Sequence, residues 1–102
     1  MYKITVYSLY TCGNNHYIQV HDGYMLEQDC AVYRLKSGVW RVTDMDTGLW
    51  ICSGRTRSEA INKFRGSYLS ELTAYRMNHA EDYKAKVERM NTLYEDYIKG
   101  TC

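Results

Sequence analysis

Cys12, His16, His21 and Cys30 stand in the order C-x3-H-x4-H-x8-C and supply the ligand types of a tetrahedral zinc site. The spacing matches neither a zinc finger nor a zinc ribbon. On a strand, His16 and His21 would fall on opposite faces, because side chains alternate. These four residues therefore read as turn and strand residues, and no metal is expected. Asp44 and Asp46 form a carboxylate pair of the kind used for general acid and base work. They lie in Asp44-Met45-Asp46-Thr47-Gly48, however, where short polar side chains and a glycine are what a tight turn requires. A cysteine nucleophile with His79 as base has no local signature to support it. The chain contains no Gly-rich phosphate loop, no G-x-S-x-G and no H-E-x-x-H. The expectation is a non-enzymatic protein that needs no cofactor.

Residues suited to binding are more prominent. The chain has 11 tyrosines and no proline, and tyrosine offers a rigid apolar ring with a polar tip that suits both a small core and an interface. Alternation along the strands described below would point Ile4, Val6, Ile18, Val20, Trp40, Val42, Leu49 and Ile51 at the helices. The opposite face would then collect Tyr7, Tyr17, Gln19, Arg34, Arg41 and Trp50. Tyr, Trp and Arg are the side chains that most often anchor protein interfaces. They would equally serve single-stranded nucleic acid through base stacking and backbone charge. Arg55 and Arg57 stand at a helix start, where free N–H groups and the dipole favour phosphate, although Glu59 occupies part of that position.

The element that must position these groups is Gly38–Glu59. Trp40 and Val42 alternate with Arg41 and Thr43 as in a half-buried strand. The Asp44–Gly48 turn follows, Leu49–Cys52 returns as a second strand, and Thr56 with Glu59 forms a capping box. Upstream, residues 2–10 and Tyr17–His21 alternate and flank Cys12-Gly13-Asn14-Asn15, which reads as a hairpin with a turn longer than two residues. Asp22–Asp29 is either a loop or an irregular strand, and Ala31–Leu35 is a further strand turned by Lys36-Ser37-Gly38. Downstream the period becomes helical: Ala60, Ile61, Phe64, Tyr68, Leu72 and Tyr75 recur at steps of three and four, with Gly66 as an interior defect. Asn78 and Glu81 mark a second helix start. Ala80, Tyr83, Val87, Met90, Tyr94 and Tyr97 then form a narrow a/d seam.

The fold expected is one α+β domain over residues 1–102, with a β part over 1–54 and a helical part over 55–99. An antiparallel meander of four to five strands is followed by two C-terminal helices, 57–76 and 79–98, forming a hairpin. The alternative is one helix of roughly 40 residues, about 60 Å long, whose exposed seam would call for a homodimer through residues 80–97. Thirteen basic and 12 acidic residues leave a net charge of +1, which argues against a nucleic-acid mimic and gives no support to a strongly cationic binder. No stretch approaches the ~18 apolar residues of a membrane span, and the start lacks a signal-peptide pattern. Cys12, Cys30, Cys52 and Cys102 show no framework spacing, as expected for reduced thiols in the cytoplasm.

The stretch VWRVTDMDTGLWICSGRTRSEAINKF resembles a module of small bacteriophage and mobile-element proteins: a tryptophan strand, a turn, a second strand and a capped helix. The match covers Trp40–Ala60. In size, tyrosine content and lack of proline the chain is similar to anti-CRISPR proteins. That resemblance implies a phage-encoded inhibitor that acts in the host bacterial cytoplasm by binding an RNA-guided nuclease or its ribonucleoprotein complex. The alternative is a nucleic-acid-binding accessory protein. The candidate contact residues are Tyr7, Tyr17, Arg34, Arg41, Trp50, Arg55 and Arg57.

Overall fold

Cys12 pairs with Asn15 across Gly13 and Asn14, so the first hairpin closes through a two-residue loop, shorter than the turn expected. Gly13 takes the positive φ of 61° that such a loop requires. The tight loop lets β1 (Lys3–Cys12) and β2 (Asn15–Met25) pair along their whole length. A 3-10 turn at Glu27–Asp29 then leads into β3 (Cys30–Arg34), followed by β4 (Trp40–Asp44) and β5 (Trp50–Gly54). The stretch 22–29 is thus the end of a strand plus a turn, in which Gln28 and Asp29 adopt left-handed φ values of 60° and 58°. The computed structural model describes residues 2–100, and Cys102 lies outside the described residues. All five strands form one antiparallel sheet in chain order, and helices follow: an α+β fold.

Register decides which side chains share a face, and it corrects the alternation drawn from the sequence. Val6 sits opposite His21, whereas Tyr7 sits opposite Val20 and Leu9 opposite Ile18. Ile4 and Val6 therefore belong to the face away from the helices, and Tyr7 to the helix side. Simple strand-by-strand alternation cannot reveal this, since a one-residue difference in phase between two strands reverses the assignment. Between β4 and β5 the register shifts: Val42 pairs with Cys52 and Thr43 with Trp50, leaving Ile51 unmatched. Cys52 and Ile51 consequently both pack toward the helices, while Trp50 turns to the other face.

The helix-side core is Leu26, Cys30, Val32, Val42, Cys52, Ala60, Ile61 and Phe64. Thr56 caps α1 (Arg57–Lys63) by accepting the Glu59 N–H at 3.1 Å, and Glu59 in turn accepts the Arg55 N–H at 3.4 Å. A π turn, Phe64–Tyr68, joins α1 to α2 (Leu69–Asn78), with the Leu69 N–H bonded to the Phe64 carbonyl five residues back. The extra residue changes the packing step from four to five. Leu69 and Leu72 follow Phe64 onto the core, and Tyr68, expected there, is exposed. Gly66 lies in this π turn.

The helix breaks at His79 (φ −127°, ψ 45°) and resumes as α3 (Ala80–Gly100). One continuous helix over 57–100 would be about 66 Å long, against a longest molecular dimension of 37 Å. The long-helix alternative is therefore excluded. The expected seam packs on the chain itself: Tyr83 reaches Asp44, Met90 lies beneath Gly48, and Tyr94 and Tyr97 pack edge-on to Tyr7 at 4.8 and 6.1 Å. Gly48, at φ +75°, has no room for a Cβ, which would fall 2.6 Å from Met90 Sδ and 2.9 Å from the Leu9 nitrogen. No helix among the described residues is long and apolar enough to cross a membrane.

Asp44 holds this arrangement at its centre. Its Oδ2 accepts from Tyr83 OH at 2.7 Å, and its Oδ1 accepts from Arg76 Nη2 at 3.3 Å and from the Asp46 N–H at 3.0 Å. Arg76 Nη2 also donates to the Gln28 carbonyl at 2.7 Å, and its guanidinium lies over the Tyr83 ring at 5.2 Å. Burial is the largest influence on Arg76 and opposes its charge, but Asp44, Tyr83 and Cys30 together outweigh it and raise the pKa. Across the break, Tyr75 OH donates to Asp82, and Lys86 Nζ donates to Tyr75 OH at 2.7 Å.

Two substitutions check this packing. Met90 is 4% exposed and Met77 is 76% exposed. Met90→Asp should cost about 3 kcal/mol or more through an unpaired buried charge, and Met77→Asp within about 0.5 kcal/mol. Equal melting temperatures for the two variants would overturn the placement of α3. Arg76→Leu leaves the Asp44 carboxylate without its cation and should cost about 3 kcal/mol. Asp44→Asn in the same background should recover part of that loss, as read by urea unfolding, and no recovery would mean that Arg76 acts through packing alone.

Candidate binding face

The sheet coils far enough for the Leu9 N–H of β1 to donate to the Gly48 carbonyl, in the turn between β4 and β5, at 2.8 Å. This closure buries Val6, Ala31 and Tyr33 on the face without helices, with Ile4, Leu35 and Met45 packed around them. A row of polar and aromatic side chains crosses all five strands on this face: Ser8, His21, Tyr33, Thr43, Arg41 and Trp50. Ser8 Oγ and His21 Nε2 are hydrogen-bonded at 3.1 Å. The His21 ring stacks on Tyr33 at 4.1 Å and 15°, and Thr43 Oγ1 donates to Tyr33 OH at 3.1 Å. Burial and the neighbouring Arg41 both lower the His21 pKa. Arg41 lies over the Trp50 ring at 4.9 Å, and its Nε is buried without a hydrogen-bond partner.

The seven candidate contact residues fall in different places. Arg41 and Trp50 lie side by side on this open face, and Trp50 is 58% exposed. Tyr17 is on the same face, with its ring 6.5 Å from that of Tyr10. Tyr7 is corrected: it faces α3, where its hydrogen bond with Tyr94 stabilises the protonated phenol and raises its pKa. Arg34 is corrected as well. It pairs with Trp40 and alternates with Val32, which places it on the helix side at the exposed end of β3. Arg55 and Arg57 are exposed at the start of α1, away from the row, and Arg57 lies over the Tyr24 ring at 4.9 Å.

The sequence reading missed Ser8, His21, Tyr33 and Thr43 as members of one face. Their only sequence signal is alternation within separate strands, and the pairing register is what brings them together. The residues of the C-x3-H-x4-H-x8-C pattern do not converge. Cys12 is exposed near the hairpin tip, His16 bonds Thr11 Oγ1 at 3.0 Å, His21 faces the open side, and Cys30 is buried toward the helices. Among the described residues no group of three or more His, Cys, Asp or Glu could hold a metal ion. Burial, reinforced by Asp44, pushes the Cys30 thiol up to about 12, and burial raises the Cys52 pKa.

No family model, curated protein or solved structure matches this chain. The reading of the face therefore rests on its own chemistry.

His21 yields a pH prediction. A lowered pKa in the folded state means that the unfolded chain binds the proton more tightly. Its contribution is thus intact above about pH 6.5 and is lost as the pH falls below that value. Between about pH 7 and about pH 5, urea unfolding should show a larger loss of stability for the native chain than for His21→Gln. Identical losses would mean that His21 titrates as a free imidazole.

Proposed function

We propose that this chain is a non-enzymatic, protein-binding inhibitor whose contact surface centres on Trp50 and Arg41. Its partner is an RNA-guided nuclease or nuclease–guide complex of a bacterial host, the target class of the anti-CRISPR proteins it resembles in size and make-up. The observation that carries the reading is Trp50: a large ring, 58% exposed, held in place by Arg41 on a face that no helix covers. A tryptophan and an arginine fixed against each other before binding lose little freedom on association, and both types dominate interface hot spots. The near-balanced net charge of +1 supports affinity through buried aromatic contact more than through long-range attraction. The cytoplasm of the host cell is the compartment where such a target resides.

A second reading, binding of single-stranded nucleic acid, draws on the paired rings of Tyr10 and Tyr17 on the same face as Trp50 and Arg41. Exposed rings beside a guanidinium make a stacking platform. The low net charge weighs against it, because neutralising several phosphates needs a cationic excess.

Trp50→Ala or Arg41→Ala should weaken capture of the nuclease complex from cells by about thirty-fold, equivalent to about 2 kcal/mol. The melting temperature of Trp50→Ala should stay near that of the native chain. Capture should change little between about 50 and about 200 mM salt, a range over which nucleic-acid binding falls by orders of magnitude. Sub-micromolar DNA or RNA binding with a steep salt slope, and no nuclease recovered, would replace the first reading by the second.

A further inference from the structure

Between β2 and β3 the sheet is open. The two strands pair only over Gly23–Met25 and Ala31–Tyr33, whereas β2 runs back beside β1 as far as Asn15. The pair flanking a two-residue hairpin loop exchanges both hydrogen bonds, and bonded pairs then alternate along the ladder. From Cys12–Asn15 onward the bonded pairs are Tyr10–Tyr17, Ser8–Gln19 and Val6–His21. Ile18 and Val20 therefore turn their N–H and C=O groups away from β1. Two observations agree with this phase. Leu9, the partner of Ile18, donates its own N–H outward to Gly48, and Tyr24, in the same phase as Val20, is where β2 meets Val32 of β3. On that edge Ile18 and Val20 meet no strand, and Val20 is exposed.

The gap is a groove of about 500 Å³, walled by Gln19–His21 on one side and Arg34–Ser37 on the other. Arg34 and Lys36 supply two cations at its wall, and Arg41 lies close enough to act on His21. Among the described residues no carboxylate lines it, and Asp96 of α3 stands beside Ile18, outside the groove. Asp22, next along β2, is paired with Thr5 and lies at the closed end of the gap, on the helix side.

The geometry points to this groove as the docking site for an extended acidic segment of a partner protein. The segment adds to the free edge of β2 as a further strand and sets its carboxylates against Arg34 and Lys36. A row of alternating N–H and C=O groups is matched by another peptide backbone, and a nucleic acid offers no such alternation. The inference rests on the protein-binding reading above and adds the mode of recognition.

The probe is an acetylated, amidated peptide of alternating glutamate and valine, titrated into the full nitrogen-15-labelled chain. Its counterpart of alternating lysine and valine is the control. The acidic peptide should shift the Ile18 and Val20 amide signals and slow their hydrogen exchange, and the basic one should not. Arg34→Glu combined with Lys36→Glu should weaken the acidic peptide at least ten-fold and admit the basic one. Val20→Pro removes a donor that faces the groove and leaves the ladder to β1 intact, so it should abolish binding. If that variant does not fold, the amide mapping and the charge reversal decide. Equal binding of both peptides, shifts confined to other strands, doubling of mass through β2 edges, or displacement of the acidic peptide by nucleic acid would each overturn the proposal. Nuclease capture that depends on Trp50 while both peptides fail to bind would remove the groove and leave the inhibitor reading standing. Peptide binding at Ile18 and Val20 without nuclease capture would keep the groove and remove that choice of partner.

Discussion

A single carboxylate, Asp44, is withdrawn from water at the end of β4, and the outer elements take their positions from it. A buried charge is tolerable only when paired and hydrogen-bonded. Its partners come from three places: Arg76 near the end of α2, Tyr83 in the first turns of α3, and the Asp46 N–H in the following turn. Arg76 and Tyr83 can both reach it because the helix bends at His79 between them. Arg76 also donates to the carbonyl of Gln28, a residue in the left-handed conformation. One ionic contact thus ties together the turn before β3, the end of β4 and the junction of the two longer helices.

The bend directs α3 across the β1–β2 hairpin, and this is where the sheet is closed. Met90, Gly48 and Leu9 meet at one point, where only a glycine leaves enough space. The hydrogen bond from Leu9 to Gly48 joins the first strand to the last turn, so the helix-free face is curved and partly self-covered. Such a face can bury Val6, Ala31 and Tyr33 without a second layer and still leave its margin in water. The polar row from Ser8 to Trp50 follows that transition from buried to exposed.

The two sides of the sheet have consequently diverged in use. The helix side consumes its aromatics internally, with Tyr7 against Tyr94 and Tyr97, and Tyr83 against Asp44. The other side leaves Trp50, Tyr10 and Tyr17 exposed, and between the two sides runs a free stretch of β2 edge beside Arg34 and Lys36. An open edge next to a preformed ring contact suits a partner met partly through side chains and partly through backbone.

Much of the architecture was legible in the residues themselves. The period-two runs, the Asp44–Gly48 turn and the Thr56–Glu59 cap depend on contacts within a few positions, and each appears where local chemistry places it. The seam from Tyr83 to Tyr97 was also readable as the packing stripe of its helix, buried at Met90, though its occupant was not. Trp50 and Arg41 were correctly set on one face, while Tyr7, Arg34, Ile4 and Val6 were not. What separates these cases is pairing register: a strand's own alternation is local, but its phase against its neighbour is set by the two-residue loop at Gly13 and by the unmatched Ile51. The π turn at Gly66 shifts the helix by one residue for a similar reason, exchanging Tyr68 for Leu69 against the core. Sequence alone therefore determined the kinds of element, their order and the Thr56 cap, because those follow from neighbouring residues. The helix start expected at Asn78 falls instead at Ala80, after the break at His79. Tertiary structure alone decided the Asp44–Arg76–Tyr83 cluster, the closure at Gly48 and the free edge of β2, because each depends on groups far apart in the chain meeting in space.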